Sequence, residues 1–156
     1  MLVIRPRIRE ITFPSPAREL ITVSRVDYTD AFLLTVPDAG DRTGEQWARA
    51  MLEDAPATTR RDLRRGWFAL GLRLGSAEDD RRVLGWPLRH SSPDYAVLAT
   101  DSRLGFEAEL LFKRERDGLL FATVLKLNNP LSRGIWAALS SHHRKVVRSL
   151  LLRSVR

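Results

Sequence analysis

The chain has no cysteine, and among its 156 residues there are only three histidines and two methionines. Without cysteine, disulfides, thiolate zinc sites and thiol nucleophiles are excluded together. The same absence fits a reducing compartment. No apolar run approaches the roughly 18 residues that span a bilayer. The N-terminal patch Met1–Ile4 is too short for a signal-peptide core, and its positive charges follow it rather than precede it. A cytoplasmic protein is therefore expected. His90, His142 and His143 do not form a His-Glu-x-x-His motif, and neighbours on a helix diverge by about 100°. No metal and no cofactor is expected. Gly66–Gly71 spaces two glycines but lacks a following Lys-Ser/Thr, so it is neither a P-loop nor a dinucleotide fingerprint. Gly-x-Ser-x-Gly is missing as well, which removes the hydrolase nucleophile elbow.

What is present fits one domain with one real core. Hydrophobic residues make up 44% and charged residues 29%, so disorder is not indicated. The net charge is +7, but nearly all of the 26 basic residues are Arg. With the abundant Ala and Leu, that skew points to GC-rich coding rather than to nucleic-acid binding, and no specific nucleic-acid partner is expected. From Leu131 to the end the chain carries six basic residues and no acid. A solvated helix face explains this run, and an anionic surface is the competing explanation.

The order of elements follows from periodicity. Residues 1–18, with Pro6, Pro14 and Pro16, read as an N-terminal extension, and 19–156 as the domain. Tyr28, Asp30, Phe32, Leu34 and Val36 alternate, which predicts a strand through Ala31–Val36 and a turn over 37–41. Thr43 and Gln46 have capping-box spacing and start a short helix near Gly44. A second helix begins at Thr58 or Thr59, with Leu63, Trp67, Leu70 and Leu74 on one stripe. Leu84, Trp86, Leu88 and His90 then alternate, although Pro87 marks an edge strand. Further strands follow at Tyr95–Thr100, at Leu104–Phe112, and after the Asp117-Gly118 hairpin signal. On the last, Leu119, Phe121, Thr123, Leu125 and Leu127 face inward.

Asn129-Pro130 suits a cap and first turn, and a long amphipathic helix runs from there to about Arg153. Ile135, Trp136, Leu139, Val146, Val147 and Leu150 form its apolar face, with His143 in the middle of that face and His142 at its edge. Strand, two short helices, antiparallel meander and long closing helix resemble the helix-grip plan of the START-like (SRPBCC) superfamily. Asp27-Tyr-Thr-Asp-Ala-Phe32 resembles the first-strand motif of an uncharacterised bacterial branch of it. Asn129, Arg133, His143 and Arg144 fall at that branch's later motif positions, while Ser132, Ser141 and His142 depart from it. The resemblance implies an α+β fold in which an antiparallel sheet wraps the last helix around an apolar cavity.

The expected wall of that cavity is Trp67, Trp86, Phe106, Phe121, Thr123, Trp136 and His143, with Asp30, Tyr95 and Arg133 as polar candidates. Each has a purely structural alternative: aromatic core, tolerated hydroxyl, or a histidine pinning helix to sheet. Three functions follow. The first is binding of a hydrophobic small molecule in a space of a few hundred Å³. The second is a cyclase- or dehydratase-like enzyme using His143 with Asp30, Tyr95 or Thr123. The third is a basic surface for nucleic acid or anionic membrane. Homodimer and monomer both remain open.

Overall fold

Period-two alternation dominates the chain, and the computed structural model resolves it into one antiparallel sheet. It describes residues 5–37 and 41–155, so most of the turn expected over 37–41 and the patch at 1–4 lie outside the described residues. Strands β1 (Arg7–Ile11), β2 (Tyr28–Thr35), β3 (Arg82–Val83), β4 (Trp86–Ser91), β5 (Tyr95–Asp101), β6 (Phe106–Glu115) and β7 (Gly118–Leu127) lie in the order β1-β2-β7-β6-β5-β4-β3. Helices α1 (Gly44–Leu52) and α2 (Ala57–Ala69) intervene between β2 and β3, and α3 (Pro130–Arg153) closes the chain. No helix among the described residues is long and apolar enough to cross a membrane.

Alternation sends the side chains of each strand to two faces. Phe32, Leu34, Phe106, Phe112, Phe121 and Leu125 join the inner core under the helices. Ala31, Val97, Leu111, Leu120 and Val124 form a second core on the outer face. The segment read as an extension covers that outer face. Residues 7–11 form β1 on β2, and a 3-10 helix at Ser15–Leu20 brings Ala17, Ile21 and Val23 onto the sheet. Glu109, whose side chain lies on this outer face, is only 1% exposed. Its carboxylate accepts from the Thr22 backbone N–H and hydroxyl, both at 2.9 Å.

The caps of α1 and α3 form where the sequence placed them, whereas α2 starts at Ala57 after Pro56 rather than at Thr58 or Thr59. Thr43 and Gln46 close a reciprocal capping box on α1. Asn129 does the same for α3 with Ser132, whose N–H reaches Asn129 Oδ1 at 2.7 Å. Ser132 is thus a capping residue.

Three local expectations are corrected. The α2 stripe does not reach Leu74, because Gly71 (φ +73°) ends the helix in a Schellman turn: Gly71 N–H bonds Phe68 O and Leu72 N–H bonds Trp67 O. Leu84 is a turn residue with φ +49°, not part of a strand. A bulge between Leu88 and His90 breaks the alternation, so Leu88 pairs Leu98 of the inner core but His90 pairs Val97 of the outer one. His90 therefore leaves the inner face and stacks on Tyr95, ring centroids 4.0 Å apart.

The β6–β7 hairpin needs its glycine for packing as much as for the turn. Gly118 is buried between Glu115 of β6 and Thr35 of β2. A Cβ there would collide with the Leu34 carbonyl oxygen on the neighbouring backbone. Gly118→Ala should therefore cost about 1–3 kcal/mol, the usual range for overpacking. Urea unfolding measures it, and a loss under 0.5 kcal/mol (roughly the noise of surface substitutions) would contradict the account.

Candidate functional site

The helices do not cover the inner face evenly. α1 buries Trp47, Ala48, Met51 and Leu52 against it. α3 buries Trp136, Val147, Leu150 and Leu151. α2 buries no residue at all, although its stripe of Leu63, Trp67 and Leu70 points toward the core. Arg64 tethers it instead, donating to the carbonyls of Leu84 (3.0 Å) and Gly75 (3.3 Å).

Two adjoining spaces result. A small cavity of about 80 Å³ lies among the sheet and the three helices. Trp67, Trp86, Phe106, Phe121, Thr123, Trp136 and His143 all line it. An open cleft of about 680 Å³ lies between α2 and α3 and shares Leu63, Trp67, Leu70, Trp136, His143, Val146 and Leu150 with the cavity. The expectation of a few hundred Å³ between the last helix and the sheet is corrected. Large rings fill that space, with Trp136 edge-on to Tyr28 and Phe106, and Trp86 edge-on to Trp67. The room lies further out, under α2. Leu139, expected on the buried face, is 37% exposed because it lines this cleft.

The polar end of the cavity is built by register. β2 pairs β7 so that Asp30 stands opposite Thr123, and α3 lays His143 over both. His143 Nε2 is 2.9 Å from Thr123 Oγ1 and 3.1 Å from Asp30 Oδ2. Tyr28 OH donates to the same Asp30 oxygen at 2.8 Å. Burial, then the Asp30 charge, pushes the Tyr28 phenol well above its usual value, so it keeps its proton and remains a donor. An ionised Asp30 also selects the Nε2–H tautomer of His143. A bare Nε2 would set two lone pairs facing each other at 3.1 Å. In the neutral ring the lone pair is then on Nδ1. The Asp30 side chain is 1% exposed and that of His143 24%, so the carboxylate is sealed while the imidazole is reachable. Asp30 Oδ1 is buried with no hydrogen-bond partner among the described residues.

The other polar candidates fall elsewhere. Tyr95 packs with the outer core beside His90 and does not line either space. Arg133 is exposed in the first turn of α3, where its charge acts on Asp27. His142 lines the outer cleft only. Sequence reasoning missed the part of Tyr28, whose position two residues before Asp30 puts both on one face. It also missed α2 as a wall rather than a core helix, for which periodicity carries no signal. Among the described residues no three His, Asp or Glu side chains gather as metal ligands would.

No protein-family model, no curated protein and no solved structure matches the chain.

Asp27, just before β2, ties that strand to the end of β7. Its carboxylate accepts the Leu127 N–H at 2.7 Å and pairs with Arg25 at 2.9 Å. The Arg25 hydrogen bond, then the Leu127 N–H, holds its pKa down at about 2 from the usual 3.8. A carboxylate with a depressed folded pKa stabilises the fold above its unfolded pKa and loses that effect as pH falls through the folded one. Asp27→Asn should therefore lower Tm at neutral pH, and its deficit relative to wild type should shrink between pH 3.8 and about 2. Thermal melts across that range measure it; a deficit independent of pH would sink the assignment.

Proposed function

We propose that this protein binds a hydrophobic small molecule in the α2–α3 cleft, with the inner cavity as its deepest point. The observation that carries the reading is α2: a helix with a Leu63–Trp67–Leu70 stripe and no buried residue, standing over about 680 Å³ of mostly apolar space. Leaving such a stripe half-covered forgoes about 25 cal/mol for each Å² of apolar surface. A ligand between α2 and α3 would recover that burial. The volume falls in the range of small-molecule sites, roughly 300–1,000 Å³. We further infer a START-like helix-grip relationship. Its support is that the two motif segments, distant in sequence, touch: Asp30 meets His143 at 3.1 Å and Tyr28 meets Arg144 at 3.5 Å.

A second reading rests on the Asp30–His143 pair. A sealed carboxylate that orients an accessible imidazole is an arrangement suited to general acid–base catalysis. In this reading the ligand is a substrate, and His143 Nδ1 takes or returns a proton.

Native mass spectrometry of freshly purified protein tests the first reading. A noncovalent adduct removed by organic solvent is expected. Val146→Trp, which fills the shared wall of cavity and cleft, should abolish the adduct while leaving Tm within a few degrees. An adduct that survives Val146→Trp would place the ligand elsewhere. For the second reading, the co-purified molecule is incubated with protein in D2O. Uptake of carbon-bound deuterium is expected from wild type, and binding without uptake from His143→Gln. Equal uptake by both would rule out His143 as the base.

A further inference from the structure

The two most exposed large apolar side chains among the described residues are Phe68 (84%) and Leu131 (56%). Neither joins a core, and neither lines the cavity or the cleft. Both sit at one end of the molecule, because the turn over 102–105 holds the end of α2 and the start of α3 together. Ser102 Oγ donates to Leu70 O, the Arg103 N–H donates to Gly71 O, and Leu104 O accepts from Asn129 Nδ2. α2 and α3 therefore run in opposite directions across the cleft, and Arg153 meets Thr59 at its far end. The surroundings of Phe68 are basic. Arg61 and Arg65 precede it by two turns and one turn, on the same outward face of α2. Arg103 stands in the turn, and all three arginines are exposed. None of the three forms an ion pair among the described residues. The acids that flank the turn are taken up, Asp101 by Arg73 at 2.6 Å and Glu107 by Lys126 at 3.4 Å. α2 has one acid, Asp62, against four arginines, and α3 has no acid against five basic residues.

We infer that this end of the protein docks on an anionic lipid bilayer, with Phe68 and Leu131 entering the headgroup region and Arg61, Arg65 and Arg103 meeting lipid phosphates. The inference goes beyond the pocket reading and does not rest on it. Charge complementarity sets the sign of the partner, and the apolar tips set its interior. Single exposed apolar residues are ordinary on protein surfaces. Here two of them share one end with three unpaired arginines. A protein partner calls for a contiguous apolar patch of matching shape, whereas a fluid bilayer takes up separate apolar side chains beside basic ones. Nucleic acid would engage the arginines through phosphate and leave both apolar tips unused.

Co-sedimentation of the full chain with vesicles makes the test. Vesicles of phosphatidylcholine alone are compared with equal parts of phosphatidylcholine and phosphatidylglycerol. Wild type should bind the anionic vesicles at least about 10-fold more tightly than the neutral ones, and added salt should weaken that binding. Phe68→Ser and Leu131→Ser should each weaken anionic binding about 3- to 10-fold, part of what full burial of the side chain gives. Both side chains are exposed, so Tm should not move. Arg65→Ser should weaken binding about 5-fold at low salt. Arg7→Ser removes the same charge at the opposite end of the sheet, where Arg7 pairs Thr35 and Thr35 pairs Gly118. It should change binding less than about twofold. Equal binding to the two vesicle types, binding to neither, or anionic binding untouched by Phe68→Ser and Leu131→Ser would overturn docking at this end. So would an Arg7→Ser loss as large as that of Arg65→Ser. A dimer in sedimentation velocity that Phe68→Ser dissociates, or duplex DNA bound more tightly than the anionic vesicles, would overturn it in favour of another partner. None of these outcomes alters the adduct test of the cleft, so the two readings fail separately.

Discussion

Everything at the polar end of the site depends on the pairing of β2 with β7. These strands lie far apart in sequence, and their register sets Asp30 directly opposite Thr123 on the face beneath α3. A slip of one residue would turn Asp30 to the other face and bring Ala31 or Thr29 in its place. The register is fixed at both ends. Gly118 admits the Leu34 carbonyl at one end, and Asp27 grips the Leu127 N–H at the other. Between them Phe32 and Leu34 have only one face on which they can be buried. His143 reaches the pair because Asn129 starts α3 immediately after β7, so the helix returns over the strands it follows.

The two faces of the sheet are finished differently, and the difference shapes the site. The outer face is closed by the N-terminal segment, whose 3-10 helix and Thr22 seal even a carboxylate, Glu109. The inner face is closed by helices of unequal grip. α1 and α3 are packed, whereas α2 is held by Arg64 and by a Schellman turn at Gly71 rather than by buried side chains. Local stability is lowest where few apolar contacts are buried. The element that borders the cleft is therefore the one that can move with least cost.

The Asp30–His143 pair serves both readings of the site. A buried carboxylate beside an imidazole is a strong positional tie, since removing one partner leaves the other unmet in a low-dielectric setting. The same tie holds the imidazole with Nε2 toward Asp30 and Thr123. Proton transfer to a ligand is measurable apart from stability, which is why deuterium uptake and unfolding separate the two roles.

The sequence by itself determined the α+β order of elements, the caps of α1 and α3, and the inward faces of β2, β6 and β7. Each of these is written in local periodicity or in a short capping pattern, which the backbone obeys whatever surrounds it. Tertiary structure alone decided the rest. A bulge after Leu88 turned His90 outward, and Tyr95 went with it to the far face. The N-terminal arm became the cover of a second core. The roomy space opened between α2 and α3 instead of over the sheet, because Trp86, Phe106, Phe121 and Trp136 are large enough to fill the inner volume. Periodicity says which way a side chain points; how much space remains once opposing side chains meet is a sum over residues distant in sequence.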